Sequence, residues 1–303
     1  MKLVISASIG QLGNCLYRLA NVLAISRENG WEVYDLAFAN GKYSSFFKRM
    51  ANKPLVRYPE IANMPFSCAG IQKFTYKTVR HLLKYNLIHP IEITDEQGAP
   101  GKTYDLTRLK EFNSNQTIFL RGVNFTADEC VRKHQDFLRE YFEPSIEVVK
   151  KTHDVHARFS RGFDMIVGVH VRQGDFKQWL EGSFYFSTKD YAEYMHYIQS
   201  QSTGGNIRFL IFGNLDKEFD SRDYGDLNVE RVCGTSEEDL YHLSLCNLIV
   251  SPLYSTFSGW AAFYGKVPLL RISEKFSEFD LHSLSHPEVL NNSFKSDHLC
   301  LLA

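Results

Sequence analysis

The sequence predicts an α/β protein made of two layered domains. Apolar segments of strand length alternate with amphipathic segments of helix length near both ends of the 303-residue chain. The strands in the C-terminal half are apolar throughout, which is typical of a parallel sheet that helices cover on both faces. We therefore expect an N-terminal domain over 1–160 and a C-terminal domain over 161–303.

The N-terminal segment reads as a strand, a turn, a helix and a second strand. The first predicted strand spans 2–7, and a glycine-containing turn follows it. From Leu16 the apolar residues are spaced by three and four, which predicts a helix, and Gly30 is placed to end it. The segment WEVYDLAF, residues 31–38, is the second predicted strand.

The middle of the chain is less regular. Residues 41–125 carry many aromatics, prolines and turn residues, and TIFLRG, at 117–122, is a predicted short strand there. Residues 128–160 are predicted to be helical because acidic and basic side chains alternate along them. The segment SRGFD, at 160–164, is the predicted linker between the domains.

From Met165 onward, strands and helices alternate regularly. We expect Thr188 to cap the first of these helices and the tail, 274–303, to pack back as a helix. The predicted strands are MIVGVHV, IRFLIFGN, NLIVSP and VPLLRI, and the predicted helices are TKDYAEYMHYIQSQ, TSEEDLYHLSLC and STFSGWAAFYG.

Composition argues against several classes of protein. A net charge of −1 is unlike the basic surface of a non-specific nucleic-acid binder. No segment approaches the roughly 18 apolar residues of a membrane span, and the N-terminus lacks the features of a signal peptide. The six cysteines are far apart and form no C-x-x-C pair, so we expect reduced thiols and a cytoplasmic protein with at most peripheral membrane contact. The oligomeric state stays open.

The segment GVHVRQGD, at 168–175, places a histidine and an arginine at the end of an apolar strand. His170 and Arg172 are two residues apart, so they share one face of that strand. An arginine fork matches a phosphate, and the histidine can donate to a phosphate or a sugar oxygen. The alternative is a structural pair between Arg172 and Asp175 that closes the turn.

A second candidate site follows another apolar strand. Ser255, Thr256, Phe257 and Ser258 begin a helix, whose free N–H groups and partial positive charge accept anions. Simple N-capping is the alternative explanation for these hydroxyls. In the first turn, GQLGN has two glycines three apart, which does not satisfy the G-x-G-x-x-G pattern of a dinucleotide site.

The carboxylate pair D-x-D, which many sugar-nucleotide transferases use to hold a divalent cation, does not occur in the sequence. Arg172 and the helix that begins near Ser255 offer positive charge in its place. We therefore expect no metal and no cofactor.

Three segments together resemble motifs of the α1,2- and α1,6-fucosyltransferases and the protein O-fucosyltransferases. The segments are HVRQGD, EEDLYHLSLCNLIVSPLYSTFSGWAAFYG and GQLGNCLYRLANVLAIS. They are most similar to those of the bacterial-type α1,2 enzymes of glycosyltransferase family 11. The resemblance implies a GT-B fold, in which two facing Rossmann-like domains hold the active site in their cleft. It also implies inverting, metal-independent transfer of L-fucose from GDP-fucose to a glycan hydroxyl, with an α1,2 linkage to a galactoside favoured.

The resemblance also implies roles for single residues. Arg172 would bind the diphosphate, with His170 beside it, and Ser255 to Ser258 would line the phosphate and fucose region. Gly13 and Asn14 would face across from the acceptor half. The sequence departs from the motifs at Gln173, where a second arginine is common.

Two further roles need a carboxylate. The guanine edge requires an acceptor, for which Asp239 is a candidate, although it can instead cap its helix or face solvent. Inversion requires a general base, for which Glu181 and Asp175 are candidates, and both can instead be structural.

Two other functions stay open at this point. One is a GT-B transferase that uses another sugar nucleotide, and the other is a glycan-binding pseudoenzyme on the same scaffold. Under all of them the expected partners are small molecules and glycans, without nucleic acid.

Overall fold

The computed structural model describes two long stretches of the chain and several short ones. The N-terminal third is described in part and the rest of the chain almost throughout. The side chains of residues 56, 57, 175 and 180 are not among the described parts. The described residues are 1–6, 10–36, 43, 46–49, 56–59, 78, 81, 91–94, 103–202, 204–272, 276 and 278–290.

The chain forms two compact units. The first comprises Met1–Ile146 and a short return segment that begins at Glu288, and the second comprises Glu147–Pro287. This division falls before the boundary expected at 160/161. Helix Ile146–Ser160, which the sequence placed in the N-terminal domain, belongs almost entirely to the second unit.

The first unit contains a mixed sheet of five described strands in the order β3-β2-β1-β6-β4, in which β3 is antiparallel to β2. Helix α1 is buried along most of its length, and Gly30 ends it in the left-handed conformation, as predicted. The elements are β1 (Lys2–Ile5), α1 (Leu12–Asn29), β2 (Glu32–Asp35), β3 (Val56–Tyr58), β4 (Ile91–Thr94), β5 (Tyr104–Asp105), a 3-10 helix (Leu106–Glu111), β6 (Thr117–Arg121), β7 (Phe125–Thr126), α2 (Asp128–Lys133) and α3 (Gln135–Tyr141).

The second unit contains a parallel sheet in the order β10-β9-β8-β11-β12, so β8 is its central strand. Its core is almost fully apolar, as the sequence predicts for a sheet covered on both faces. The elements are α4 (Ile146–Ser160), β8 (Met165–Arg172), 3-10 helices Asp175–Lys177 and Trp179–Gly182, α5 (Thr188–Gln201), β9 (Ile207–Asn214), a 3-10 helix (Ser221–Tyr224), β10 (Val229–Arg231), α6 (Ser236–Leu243), β11 (Leu248–Pro252), α7 (Thr256–Gly265), β12 (Leu269–Ile272) and a 3-10 helix (Leu281–Ser283).

The strands and helices predicted between Met165 and Ile272 are confirmed, with one difference at a helix start. Ser187 rather than Thr188 caps α5, because Ser187 and Asp190 exchange hydrogen bonds in a capping box. The expected helix in the tail is wrong over 278–290, where a single 3-10 turn forms. The rest of the tail, like residue 7 and residues 37–38 of the first two predicted strands, lies outside the described residues.

The described cysteines are all unpaired thiols. Cys15, Cys130 and Cys246 are buried and Cys233 is exposed, while Cys68 and Cys300 lie outside the described residues. Among the described residues, no helix is both long enough and apolar enough to cross a membrane.

Candidate functional site

The carboxyl end of the second sheet brings together the two segments that the sequence singled out. Strand β8 runs at the centre of the sheet with β9 on one side and β11 on the other. His170 lies near the carboxyl end of β8, and β11 leads through a short turn to Ser255 and helix α7. Ligands of open α/β sheets bind at this end of the strands.

A buried hydrogen-bond network joins these two segments. Nδ1 of His170 lies 2.6 Å from Oγ of Ser258 and 3.1 Å from Oγ of Ser255. The two hydroxyl oxygens are 2.9 Å apart, and the backbone N–H of Ser258 donates to Ser255 Oγ over 3.3 Å. Ser255 is therefore both the helix cap and part of the network, so the capping explanation and the site explanation hold together.

The network is compatible with a neutral His170 that carries its proton on Nε2. Burial, with a smaller effect from the Arg172 charge, lowers the pKa of His170 to about 3, so the ring is neutral at pH 7. If Ser255 donates to Ser258 and Ser258 donates to Nδ1, each hydroxyl has one acceptor and the imidazole proton is on Nε2. Within the described residues, the hydrogen bonds of the His170 side chain use Nδ1, which leaves the Nε2–H available as a donor to a ligand.

The aromatic ring of Phe257 covers the same histidine. Its centroid lies 4.9 Å from that of His170, and the two rings are tilted by 31°. Phe257 is half-buried, whereas Thr256 beside it is buried. The four predicted residues of this turn therefore differ in position: Ser255 and Ser258 hold His170 from one side, and Phe257 packs on its ring.

Two buried histidines, His170 and His242, lead us to expect loss of stability in acid. Burial lowers the pKa of each to about 3. Below about pH 6.5 the unfolded chain binds these protons and the folded chain does not, so stability that is present above pH 6.5 is lost as the pH falls towards 3. From pH 7.5 to pH 5.5, each histidine should lower the free energy of unfolding by about 1.4 kcal/mol, as urea denaturation would measure.

The variant His242→Phe isolates one of these two contributions. The ring at 242 packs against Phe212 and His156, and phenylalanine keeps an aromatic ring there. Burial raises the pKa of Asp239 to about 7, so the contribution of Asp239 to stability increases as the pH falls, in the wild type and in the variant alike. The variant should lose about 1.4 kcal/mol less than the wild type between the two pH values. An equal loss in both would contradict the role of His242.

Gly213, at the end of β9, allows the close packing around His170. It has a φ of 93°, and a Cβ built on it would lie 2.3 Å from the Val171 carbonyl oxygen and 2.8 Å from Cδ2 of His170. No side chain fits there, so the backbone of β9 passes directly against the imidazole. The sequence analysis did not single out Gly213, although a glycine inside a strand pattern is a signal of close backbone approach.

Arg172 lies two residues beyond His170 and is half-buried. Its guanidinium carbon lies 4.8 Å from the centre of the Phe176 ring, a cation–π distance. The alternative pairing with Asp175 lies outside what the structure describes, because the Asp175 side chain is not among the described residues. The guanidinium thus lies at the carboxyl end of the sheet, where an anion would be held.

Gln173, which stands where the motif that this segment resembles commonly has an arginine, is completely buried. Its Nε2 donates to the Phe186 carbonyl over 3.1 Å, and its Oε1 accepts the Asp216 backbone N–H over 3.1 Å. The side chain therefore connects both ends of the loop 173–187 to the end of β9. A buried cation could not replace both functions of this amide, which explains why arginine is absent here.

Asp216, which follows β9, also holds the loop 173–187 in place. Its Oδ2 accepts hydrogen bonds from the Tyr185 hydroxyl over 2.6 Å and from Lys177 Nζ over 3.0 Å. These two donors lower the pKa of Asp216, with the Tyr185 hydrogen bond the larger cause. Asp216 is thus an ionised structural partner of the loop.

Asp239 lies in the first turn of α6, close to Arg231. Burial raises the pKa of Asp239 to about 7, against the opposing charge of Arg231. Within the described residues, Oδ1 of Asp239 and Nη1 of Arg231 are buried without a hydrogen-bond partner. Nη2 of Arg231 donates to the Gly213 carbonyl over 2.6 Å, which links this pair to the His170 network. Thr235, not Asp239, caps the helix, so the capping alternative for Asp239 is wrong.

The two proposed general bases are not distinguished by the structure. Glu181 is exposed on the 3-10 helix Trp179–Gly182, and its φ of 57° is unusual for a residue other than glycine. Asp175 begins the preceding 3-10 helix, and its side chain is outside the described residues. The assignment of either residue as the base stays a prediction.

The N-terminal loop lies in the first unit, at the start of α1. Gly13 is buried and Asn14 is half-buried in the first turn of that helix. A Cβ on Gly10 would lie 2.3 Å from Nδ2 of Asn14, so Gly10 with its φ of 80° is needed for the asparagine to pack there. Arg18 is fully buried and donates to the Gly122 carbonyl over 3.0 Å, which gives it a structural role. That Gly13 and Asn14 face across from the acceptor half stays a prediction.

Among the described residues, no group of three or more histidine, cysteine, aspartate or glutamate side chains is arranged to hold a metal ion. The expectation of a metal-independent reaction stays a prediction, which the experiment with EDTA below tests.

No protein-family model and no curated protein matches this sequence. Solved structures do match its fold. The fucosyltransferase NodZ from Bradyrhizobium is 15% identical with a TM-score of 0.57, and the match covers 92% of this chain and 95% of that one. A mutant of Arabidopsis thaliana FUT1 in complex with GDP is 14% identical with a TM-score of 0.56, over 96% of this chain and 74% of that one. POFUT1 in complex with GDP-fucose is 11% identical with a TM-score of 0.53, over 87% and 93%.

These likenesses extend over nearly the whole chain, while the identities are too low to carry a function. They confirm the predicted α/β class and show that the chain has a fold seen in fucosyltransferases.

Proposed function

We propose that this chain is a glycosyltransferase that transfers L-fucose from GDP-fucose to a hydroxyl group of a glycan. The observation that carries the proposal is the neutral His170, which Ser255 and Ser258 hold beside the stacked guanidinium of Arg172 at the carboxyl end of the second sheet. The shared fold adds support, since NodZ, FUT1 and POFUT1 have been solved with GDP or GDP-fucose. We keep the GT-B class as part of this proposal, because the resemblance of the sequence motifs implies it.

The diphosphate is the part of the donor that this site suits. In the transfer, the bond between C1 of the sugar and the β-phosphate oxygen breaks, and GDP leaves with an additional negative charge. Arg172 supplies a fixed positive charge for that oxygen, and the Nε2–H of His170 supplies a neutral donor that needs no reorganisation. Fixed donors directed at developing charge are usually the largest contribution to catalysis.

The acceptor hydroxyl attacks C1 from the opposite face, which inverts the configuration, and its proton passes to a general base. Glu181 and Asp175 are our candidates for the base, and Asp216 is a weaker one because two hydrogen bonds already stabilise its carboxylate. We keep the α1,2 linkage to a galactoside as the proposed product, as the resemblance of HVRQGD and STFSGW to the α1,2 enzymes implies.

Asp239 and Arg231 suit the guanine base. A guanine edge offers two adjacent N–H donors and one carbonyl acceptor, and the unpaired Oδ1 of Asp239 and Nη1 of Arg231 offer the complementary pair. Burial destabilises the carboxylate of Asp239 and raises its pKa, against the opposing effects of the Arg231 charge and the Gly234 backbone N–H. The N–H groups of guanine would stabilise it, and uracil offers only one such donor.

A thermal-shift experiment with EDTA present tests this proposal. GDP and GDP-fucose should each raise the melting temperature by several degrees, since a ligand at about 100 times its Kd stabilises the native state by about 2.7 kcal/mol. UDP and NAD at the same concentration should not. The same GDP shift with magnesium in place of EDTA would support a metal-independent site.

No response to GDP at millimolar concentration would contradict the proposal. A response to UDP equal to that to GDP would instead favour a transferase with a different nucleotide. GDP binding without transfer to any glycan would favour a pseudoenzyme on the same scaffold.

A further inference from the structure

An aromatic cluster borders the candidate donor site and has no role in the proposal above. The cluster consists of Trp179 and Phe184 on the loop 173–187 and Tyr254 in the turn before α7. The Trp179 centroid lies 5.8 Å from Phe184 and 5.8 Å from Tyr254, and Phe184 and Tyr254 are 4.7 Å apart in an edge-to-face arrangement. All three rings are half-buried, so each keeps part of its surface exposed.

The aromatic cluster is continuous with Arg172. Phe176 is buried, and its ring contacts the Arg172 guanidinium at 4.8 Å and the Trp179 ring at 5.0 Å. Tyr254 comes directly before Ser255, which holds His170. A molecule that lies on the cluster is therefore next to the groups we assign to the diphosphate.

The loop that carries these rings is fixed at several points. Gln173 ties it to β9 at one end, and Asp216 accepts hydrogen bonds from Tyr185 and Lys177 along it. Ser187 caps α5 at the other end. Aromatic side chains that are held in position in this way lose little conformational entropy when a ligand binds.

Resting on the proposed function, we propose that Trp179, Phe184 and Tyr254 bind the acceptor glycan by stacking on the apolar C–H face of one of its pyranose rings. A pyranose presents such a face together with equatorial hydroxyls, and half-buried aromatic rings with polar neighbours match both. Lys177, Tyr185 and Asp216 supply charged and hydroxyl groups next to the cluster. The indole N–H of Trp179 makes no hydrogen bond within the described part of the chain and is available to a sugar hydroxyl.

A nucleotide is a poorer occupant of this cluster. The base has its own unpaired donor and acceptor at Arg231 and Asp239, which lie towards β10, whereas the aromatic cluster extends from β8 towards β11. The two sets of groups thus belong to different segments of the second unit: β10 and α6 carry the first set, and the segments after β8 and β11 carry the cluster. This placement leaves the aromatic cluster for the second substrate of the transfer.

Intrinsic fluorescence offers a direct test, because the chain has three tryptophans and the other two, Trp31 and Trp260, are buried. Lactose, N-acetyllactosamine and chitobiose would each be titrated into the full chain, with the acyclic polyol mannitol as the control for non-specific effects. We expect a saturable change in emission with at least one disaccharide, and no change with mannitol. Trp179→Phe should abolish the change, and Trp31→Phe should preserve it.

Kinetics would complete the test where transfer is measurable. Trp179→Ala should raise the KM for the acceptor about tenfold, Trp179→Phe should restore most of the affinity, and the thermal shift with GDP should be the same in both. The absence of a Trp179-dependent change with all three disaccharides would overturn the inference, even if GDP binds. A glycan response without any GDP response would instead leave this inference in place and contradict the proposed function.

Discussion

Replacing Arg172 by alanine should abolish the thermal shift with GDP and lower the rate of transfer by about 10²- to 10³-fold. The expected magnitude is that of removing one fixed donor from a developing anion. The guanidinium stacks on Phe176 and is half-buried, so its loss should cost the fold only about 0.5–1 kcal/mol. Circular dichroism melting would confirm that the variant is folded before its GDP binding and transfer rate are measured.

Two further variants make the Arg172 experiment specific. Arg222→Ala removes the same charge from an exposed arginine that pairs with Asp220, and it should leave both GDP binding and transfer unchanged. Arg172→Lys keeps the charge but loses the planar fork, so it should retain only part of the affinity. If Arg172→Ala binds GDP and transfers fucose as the wild type does, Arg172 does not hold the diphosphate.

Gly213→Ala should be the most destabilising single substitution that we expect at the site. The new Cβ would lie 2.3 Å from the Val171 carbonyl oxygen, which belongs to the β8–β9 ladder and has little freedom to move. A φ of 93° adds backbone strain. Together these effects should reduce the free energy of unfolding by at least about 3 kcal/mol, as urea denaturation would measure.

The matched control for this substitution is Gly162→Ala. Gly162 also has a positive φ, of 80°, but a Cβ there meets nothing within 4 Å. It therefore reports the cost of strain alone, which should be on the order of 1 kcal/mol. Equal losses in the two variants would mean that the close approach of β9 to His170 is not important. If Gly213→Ala folds, its displaced imidazole should also weaken GDP binding.

Much of the second unit follows from local sequence patterns. The strands before Arg172 and Asn214 and the helices that begin at Thr188 and Thr256 were predicted nearly to the residue, because apolar runs and capping residues are local signals. The predicted cap of α5 was wrong by one position, since Ser187 and Thr188 both have a hydroxyl and only the backbone decides which of them is outside the helix.

The contacts of the site did not follow from local patterns. His170 and Ser258 are 88 positions apart, and only the pairing of β8 with β11 brings them within 2.6 Å. Gln173 is fully buried, and its amide contacts Phe186 and Asp216, which are 13 and 43 positions away in the sequence. Sequence reasoning therefore identified several of the residues that meet here, but not the network that joins them. It also missed Gly213, Arg231 and the aromatic cluster.

Gln173 also restricts how this chain can change during evolution. The two groups that its amide contacts, the Phe186 carbonyl and the Asp216 N–H, belong to the backbone, so position 173 needs a side chain that both donates and accepts, whatever side chains the loop carries. A lone mutation to arginine would add a cation and at the same time release the loop that bears Trp179. An arginine at 173 therefore requires a compensating change that satisfies the Phe186 carbonyl and the Asp216 N–H in another way.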